Sequence, residues 1–121
     1  MARVFRYPLG RSIQELAQSV YDLWASYRQS DITVSGNHTT SGKPGIEYVY
    51  TDSTGTGTQT ITLATAHGEG DEIVVKRNGT APVTTATENS ETIDGSSTAT
   101  LASQYDSQRY RRLDNTQWVI L

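Results

Sequence analysis

The chain has no cysteine, one methionine, one phenylalanine and three prolines, and aromatic residues make up only 8% of its 121 positions. Without cysteine there are no disulfides, no thiolate nucleophile and no thiolate metal site, so the fold stands without covalent staples. Few large side chains are available for a core, and a domain of this size buries a smaller share of its surface than a larger one. Neighbouring subunits are therefore expected to contribute to stability. No apolar run approaches the roughly 20 residues of a membrane span. Residues 1–30 also lack the unbroken apolar stretch of a signal peptide, because Arg11, Gln14, Glu15, Gln18 and Asp22 interrupt it. The expected product is made in the cytoplasm, with no membrane partner.

What the chain has instead is 18 Thr, 12 Ser and 10 Gly, a composition that favours strands and turns. The net charge of −3 is unevenly spread. Residues 1–46 carry five cations against three acids, whereas residues 47–94 carry eight acids against Lys76 and Arg77. That distribution argues against a nucleic-acid footprint on the main body.

The opening MARVFRYPLG reads as an extended basic arm, with Arg3, Arg6 and Arg11 interleaved with Phe5 and Tyr7 and punctuated by Pro8 and Gly10. Ser12 and Glu15 form a capping box that starts a helix. Ile13, Leu16, Val20, Leu23 and Tyr27 recur at spacings of three and four, placing them on one stripe, widened by Trp24, of a helix ending near Gln29 or Ser30. The stripe has two readings: it packs on the chain's own β-domain, or it is a short seam shared between copies.

Beyond residue 30 the period changes to two. A short strand from Ile32 to Ser35 and a polar loop, read as a hinge, lead into an alternation of Ile46, Tyr48 and Tyr50 with Glu47, Val49 and Thr51. Further strands are expected at Thr60–Thr65, Glu72–Arg77, Val83–Thr87, Glu91–Ile93, Thr98–Leu101, Gln108–Leu113 and Thr116–Leu121. Asn78-Gly79 reads as a hairpin-type turn, Asp94-Gly95 as another turn, and Asp114-Asn115 as the link between the last two strands. Turn signals every 8 to 12 residues predict a mainly β chain, a small antiparallel β-sandwich or barrel-like domain preceded by an N-terminal arm and one α-helix. The organisation is arm and helix over 1–30, linker and short strand over 31–45, and β-domain over 46–121.

The chemistry-bearing residues are sparse. His38 and His67 sit in polar, glycine-flanked segments and read as solvated loop histidines, and no nucleophile elbow surrounds any serine. His67-Gly-Glu69-Gly-Asp71-Glu72 lacks the spacing of a known metal motif and reads as an acidic turn, with Glu88, Glu91 and Asp94 on a solvated acidic face. Tyr105, Tyr110 and Trp118 with Arg109, Arg111 and Arg112 form one aromatic-basic cluster. In it Trp118 and Tyr110 read as core, and Arg109 and Arg111 project to one side, suited to acids of a neighbouring subunit. No enzyme activity, cofactor or metal is expected.

Residues 59–121 resemble a small β-module of structural proteins of tailed bacteriophages, found in tail fibres, spikes and head decorations. The resemblance rests on Thr60-Ile-Thr-Leu63, Gly70-Asp-Glu-Ile-Val-Val-Lys76, Thr92-Ile-Asp-Gly-Ser-Ser97, Leu101, Tyr105 and Trp118-Val-Ile120, in that order. Where such modules often place Asp-Gly-Thr before the tryptophan, this chain reads Leu113-Asp-Asn-Thr-Gln-Trp118. The resemblance implies a homotrimer that serves adhesion or scaffolding in a virion, with capsid or tail proteins as partners and no catalytic residues. Combined with the basic arm, it implies a capsid decoration or cement protein, or a short head fibre, attached to the particle through Arg3, Phe5, Arg6, Tyr7 and Arg11. The helix stripe Ile13, Leu16, Val20, Leu23 and Tyr27 is then the oligomer seam. The alternative is a tail-fibre or adaptor component that binds a host surface glycan.

Overall fold

The computed structural model describes residues 29–121. Ten strands make two sheets: β1 (Gln29–Val34), β2 (His38–Thr39), β3 (Ile46–Thr51), β4 (Gln59–Leu63), β5 (Glu72–Arg77), β6 (Val83–Thr87), β7 (Thr92–Ile93), β8 (Thr98–Leu101), β9 (Ser107–Arg112) and β10 (Gln117–Ile120). The first six alternate between the sheets. β1, β3 and β5 stack in parallel in one sheet, and β2, β4 and β6 stack in parallel in the other. Each pair of strands is thus one rung of a β-solenoid, and the chain climbs three rungs. The predicted strands are present, but the antiparallel sandwich or barrel is not. The two architectures share strand lengths and turn spacing and differ in whether consecutive strands pair directly or through the opposite sheet.

The C-terminal strands then reverse. β8 pairs antiparallel with β6, and β9 pairs antiparallel with β5. β10 returns antiparallel along β9, and β7 adds to β10 in parallel. The orders are β1-β3-β5-β9-β10-β7 and β2-β4-β6-β8. β7 also lies against β6 and β8 of the opposite sheet, so the longer sheet closes over the C-terminal end. Its inward residues Trp118 and Ile93 join Val49, Ile61, Leu63, Ile73, Val75, Val83, Leu101 and Tyr110 in one core. Burial pushes the Tyr110 hydroxyl up to about 12, partly offset by its hydrogen bond with Thr85.

The N-terminal end differs. Ile32 pairs with Val49, which pairs with Val75, so the three side chains occupy one inward row. Val49 and Val75 are fully buried, yet Ile32 is 39% exposed, because β1 is an edge strand that pairs only with β3 among the described residues. The segment read as linker and hinge supplies β1 and β2, the first rung. Gln29 and Ser30, expected to end a helix, are strand residues. The rest of that helix and the basic arm lie outside the described residues.

Two turns show what the glycines do. Asp94 (φ 49°) and Gly95 (φ 86°) are both left-handed, and Ile93 and Ser96 exchange backbone hydrogen bonds of 2.6 and 2.9 Å across them. This is the geometry of a type I′ turn. Asn78-Gly79, by contrast, is no hairpin: it turns the chain from β5 in one sheet to β6 in the other. Its amides both donate to the Thr51 carbonyl of the rung below, at 2.7 and 2.9 Å. A Cβ on Gly79 would lie 2.0 Å from the Ser53 carbonyl oxygen, a backbone atom that cannot turn aside. Glycine is needed here for close stacking of two rungs. Gly79→Ala is expected to destabilise the fold by at least about 1–3 kcal/mol, read as a lower urea midpoint with an unchanged slope; an unchanged midpoint would mean that the corner is not packed as described.

Candidate functional site

The solenoid's two faces separate the chain's polar residues into an inward set, spent on structure, and an outward set. His67 belongs to the first. It is buried, edge-on to Trp118 with ring centroids 5.7 Å apart. Its Nε2 lies 3.3 Å from the Gly42 amide and 2.8 Å from Thr40 Oγ1, and its Nδ1 lies 3.1 Å from the Lys43 carbonyl. An amide can only donate, so Nε2 is the acceptor and the proton sits on Nδ1, donated to the carbonyl. Thr40 gives its hydroxyl proton to Nε2 while its oxygen accepts from the Ala64 amide at 2.9 Å. Both ring nitrogens are therefore occupied by the loop between the first two rungs, and the hydroxyl beside them is already committed. Asp71 Oδ2, 3.7 Å from Nδ1, instead accepts from the Gly68 amide at 2.7 Å, while its Oδ1 accepts from Gly45 at 3.0 Å. Glu47 takes Ser41 through its amide and hydroxyl at 3.1 and 2.8 Å. The loop read as a hinge is pinned by three buried side chains, and His67 is not the solvated histidine expected. His38 lies at the margin of this cluster, 3.8 Å from Glu47.

Of the acids read as solvated, Glu69 and Asp94 are exposed, whereas Asp71, Glu72 and Glu91 are buried. Glu91 accepts four hydrogen bonds from three residues on three segments. Arg112 grips both its oxygens, at 2.7 and 3.1 Å, and Trp118 Nε1 donates to Oε1 at 3.1 Å. Thr65 donates its hydroxyl to Oε2. The Arg112 guanidinium carbon sits 5.3 Å from the Trp118 ring centroid, and Arg112 Nη2 also donates to the Asn115 carbonyl at 3.0 Å. Burial opposes ionisation of Glu91, but the hydrogen bonds from Arg112, Thr65 and Trp118 and the Arg112 charge outweigh it and hold the carboxyl below its ordinary 4.5. Glu72 behaves alike. Burial again works against its charge, and Arg111 and Arg109, donating at 2.6 and 2.5 Å, lower its titration below 4.5.

Those two arginines lie on the outward face of the six-stranded sheet, paired with Glu72 of their own chain rather than reserved for a neighbour. The aromatic-basic cluster expected from sequence therefore divides. Tyr110, Trp118 and Arg112 point inward, whereas Arg109 and Arg111 point outward. Tyr105 is 64% exposed and holds a left-handed backbone, φ 73°, unusual for a bulky residue. Its carbonyl accepts from Lys76 Nζ at 2.8 Å.

Two residues not singled out as a site complete this face. Tyr48 and Tyr50 project outward from β3, their rings nearly parallel at 9° and their centroids 6.5 Å apart. Tyr48 pairs in register with Val74 and Tyr50 with Lys76, and Val74 in turn pairs with Arg109. The alternation of β3 was visible in sequence, but its phase was not: Glu47, Val49 and Thr51 take the inside because Ser41 satisfies the Glu47 carboxylate there.

Arg3, Phe5, Arg6, Tyr7 and Arg11, and the stripe Ile13, Leu16, Val20, Leu23 and Tyr27, lie outside the described residues. Among the described residues no three His, Asp or Glu side chains come together as a metal site, and no helix is long and apolar enough to cross a membrane. The chain matches no protein-family model and has no significant match to a curated protein.

The two ion-paired carboxylates yield a signed pH dependence. Glu91 and Glu72 titrate lower folded than unfolded, so their contribution is fully present above about pH 4.5 and is lost as pH falls through the lowered folded values. Thermal midpoints measured through the acid range should fall along this limb, and Glu91→Gln should flatten it. Glu91→Gln should also cost about 3–5 kcal/mol near neutral pH, because Arg112 is left buried without its counter-charge. A joint Glu91→Met, Arg112→Met variant should recover part of that loss; equal destabilisation by the single and joint changes would contradict the pairing.

Proposed function

We propose that this chain is a non-enzymatic structural protein of a tailed-phage virion, a trimeric capsid decoration or cement protein or a short head fibre, held to the particle through its N-terminal region. The observation that supports it most is the asymmetry of the solenoid. The C-terminal end is covered by β7, β9 and β10, while the inward row at the N-terminal end finishes in exposed Ile32. Among the described residues the solenoid is closed at one end and exposed at the other, and such a module is suited to project from whatever covers the exposed end. The resemblance of residues 59–121 to phage β-modules supports the same reading, as do the basic arm and the apolar stripe that lead into β1.

In this reading the buried charges are structural devices. A three-rung solenoid rich in threonine has little apolar volume, and the Glu91–Arg112–Trp118 girdle and the Tyr110–Thr85 hydrogen bond occupy interior space that larger domains fill with hydrocarbon. The histidines and acids are committed to loops and strands, and assembly rather than turnover is the activity.

Deletion of residues 1–10 should abolish co-sedimentation with phage particles while the far-ultraviolet circular dichroism of the β-fold stays unchanged. Undiminished association of the shortened chain would overturn attachment through the arm.

A further inference from the structure

The outward face of the six-stranded sheet carries a combination of side chains that structural bookkeeping inside the chain does not use up. Tyr48 and Tyr50 stand side by side on β3, with parallel rings at 6.5 Å. Lys76 neighbours Tyr50 across the strands, and Arg109 lies one strand beyond Val74, which neighbours Tyr48. Neighbouring strands lie about 4.8 Å apart, so Arg109 and Tyr48 are separated by roughly 10 Å, the width of one or two sugar rings. The platform is rigid, since its strands are central in the sheet and hydrogen-bonded on both sides.

The polar groups of this face retain free capacity. Arg109 gives only Nε to Glu72, and its side chain is 45% exposed. Arg111 is 49% exposed beside it. Lys76 gives one of its three protons to the Tyr105 carbonyl. That contact holds exposed Tyr105 in its left-handed conformation at the end of the same face, and strain of this kind in a bulky residue collects at binding surfaces. Charge selects the ligand. The chain carries −3 overall, and residues 47–94 hold eight acids, yet on this face Lys76, Arg109 and Arg111 outnumber Glu72 and Asp31, the latter on β1 beside Tyr48. An anion is repelled by most of the molecule and attracted to this face.

We infer that Tyr48, Tyr50 and Tyr105 with Lys76, Arg109 and Arg111 form a binding face for an acidic polysaccharide. Sugar rings stack their C–H faces on the tyrosines, whose hydroxyls reach the ring hydroxyls, and the carboxylates of the polymer pair with Arg109 and Lys76. The inference sharpens the glycan-binding alternative and does not rest on particle attachment, so either can fail without the other.

The test is affinity electrophoresis of the full chain through gels containing polygalacturonate, alginate or polysialic acid, with dextran as the neutral control. Retardation by at least one acidic polymer and none by dextran is expected. Tyr48→Ala with Tyr50→Ala should weaken retardation at least tenfold, and Arg109→Gln should weaken it several-fold and reduce its salt dependence. All three side chains point outward, so a retained cooperative thermal transition and an unchanged far-ultraviolet circular dichroism spectrum confirm that the variants are folded. Absence of retardation in all three acidic gels overturns the inference. Equal retardation by dextran overturns the role of charge, and full retention of binding by the tyrosine variant overturns the site. A fall in solution mass in that variant, with no polymer bound by the parent chain, would assign the face to contacts between copies and likewise overturn it.

Discussion

The closed end of the solenoid depends on one buried carboxylate. Glu91 lies just before β7, and its donors come from the turn after β4, from the end of β9 and from β10. These segments belong to both sheets and to both the parallel and the reversed parts of the chain. Only an anion with satisfied oxygens can sit at that junction, because the interior gives an unpaired charge no other solvation. Arg112 supplies the counter-charge, and its flat guanidinium against Trp118 fills volume as well. The same carboxylate thus fixes the tryptophan, the reversal of β9 and the docking of β7.

His67 extends this girdle toward the first rung. It packs edge-on to Trp118 and accepts or donates at each nitrogen into the loop from Thr40 to Lys43. Order therefore propagates from the capped end downward through packed and hydrogen-bonded side chains. It thins toward β1, where the inward row is exposed at Ile32. Among the described residues the core thins along one axis, and the proposed attachment through the N-terminal region follows that direction.

Much of the local structure was legible in the sequence. The sequence marked β3, β5 and β6 to within a residue, and Asp94-Gly95 announced a turn, which the backbone makes left-handed. The pairing was not legible. Gln29 pairs with Ile46, but Ile46 pairs with Glu72, so rungs differ in length and leave no fixed repeat to detect. Asn78-Gly79 misled for a related reason: glycine there is demanded by contact with Ser53 of the rung below, not by its own dihedral angles. β2, only two residues long, carries no alternation at all. The acids misled most. Asp71, Glu72 and Glu91 look solvated in a polar, glycine-rich context, and their partners Gly45, Arg109, Arg111 and Arg112 are distant in sequence. Of the candidate site, Arg109 and Arg111 on one side of a strand were visible, while Tyr48 and Tyr50 required knowing which phase of β3 faces out.

The proposed trimer would complete at its N-terminal end a module that β7, β9 and β10 close at the other. Its most direct test is the solution mass of the purified full chain, by light scattering at near-physiological salt over a wide concentration range. The account predicts a stable species of three times 13.3 kDa. A mass of 13.3 kDa at every concentration would contradict it.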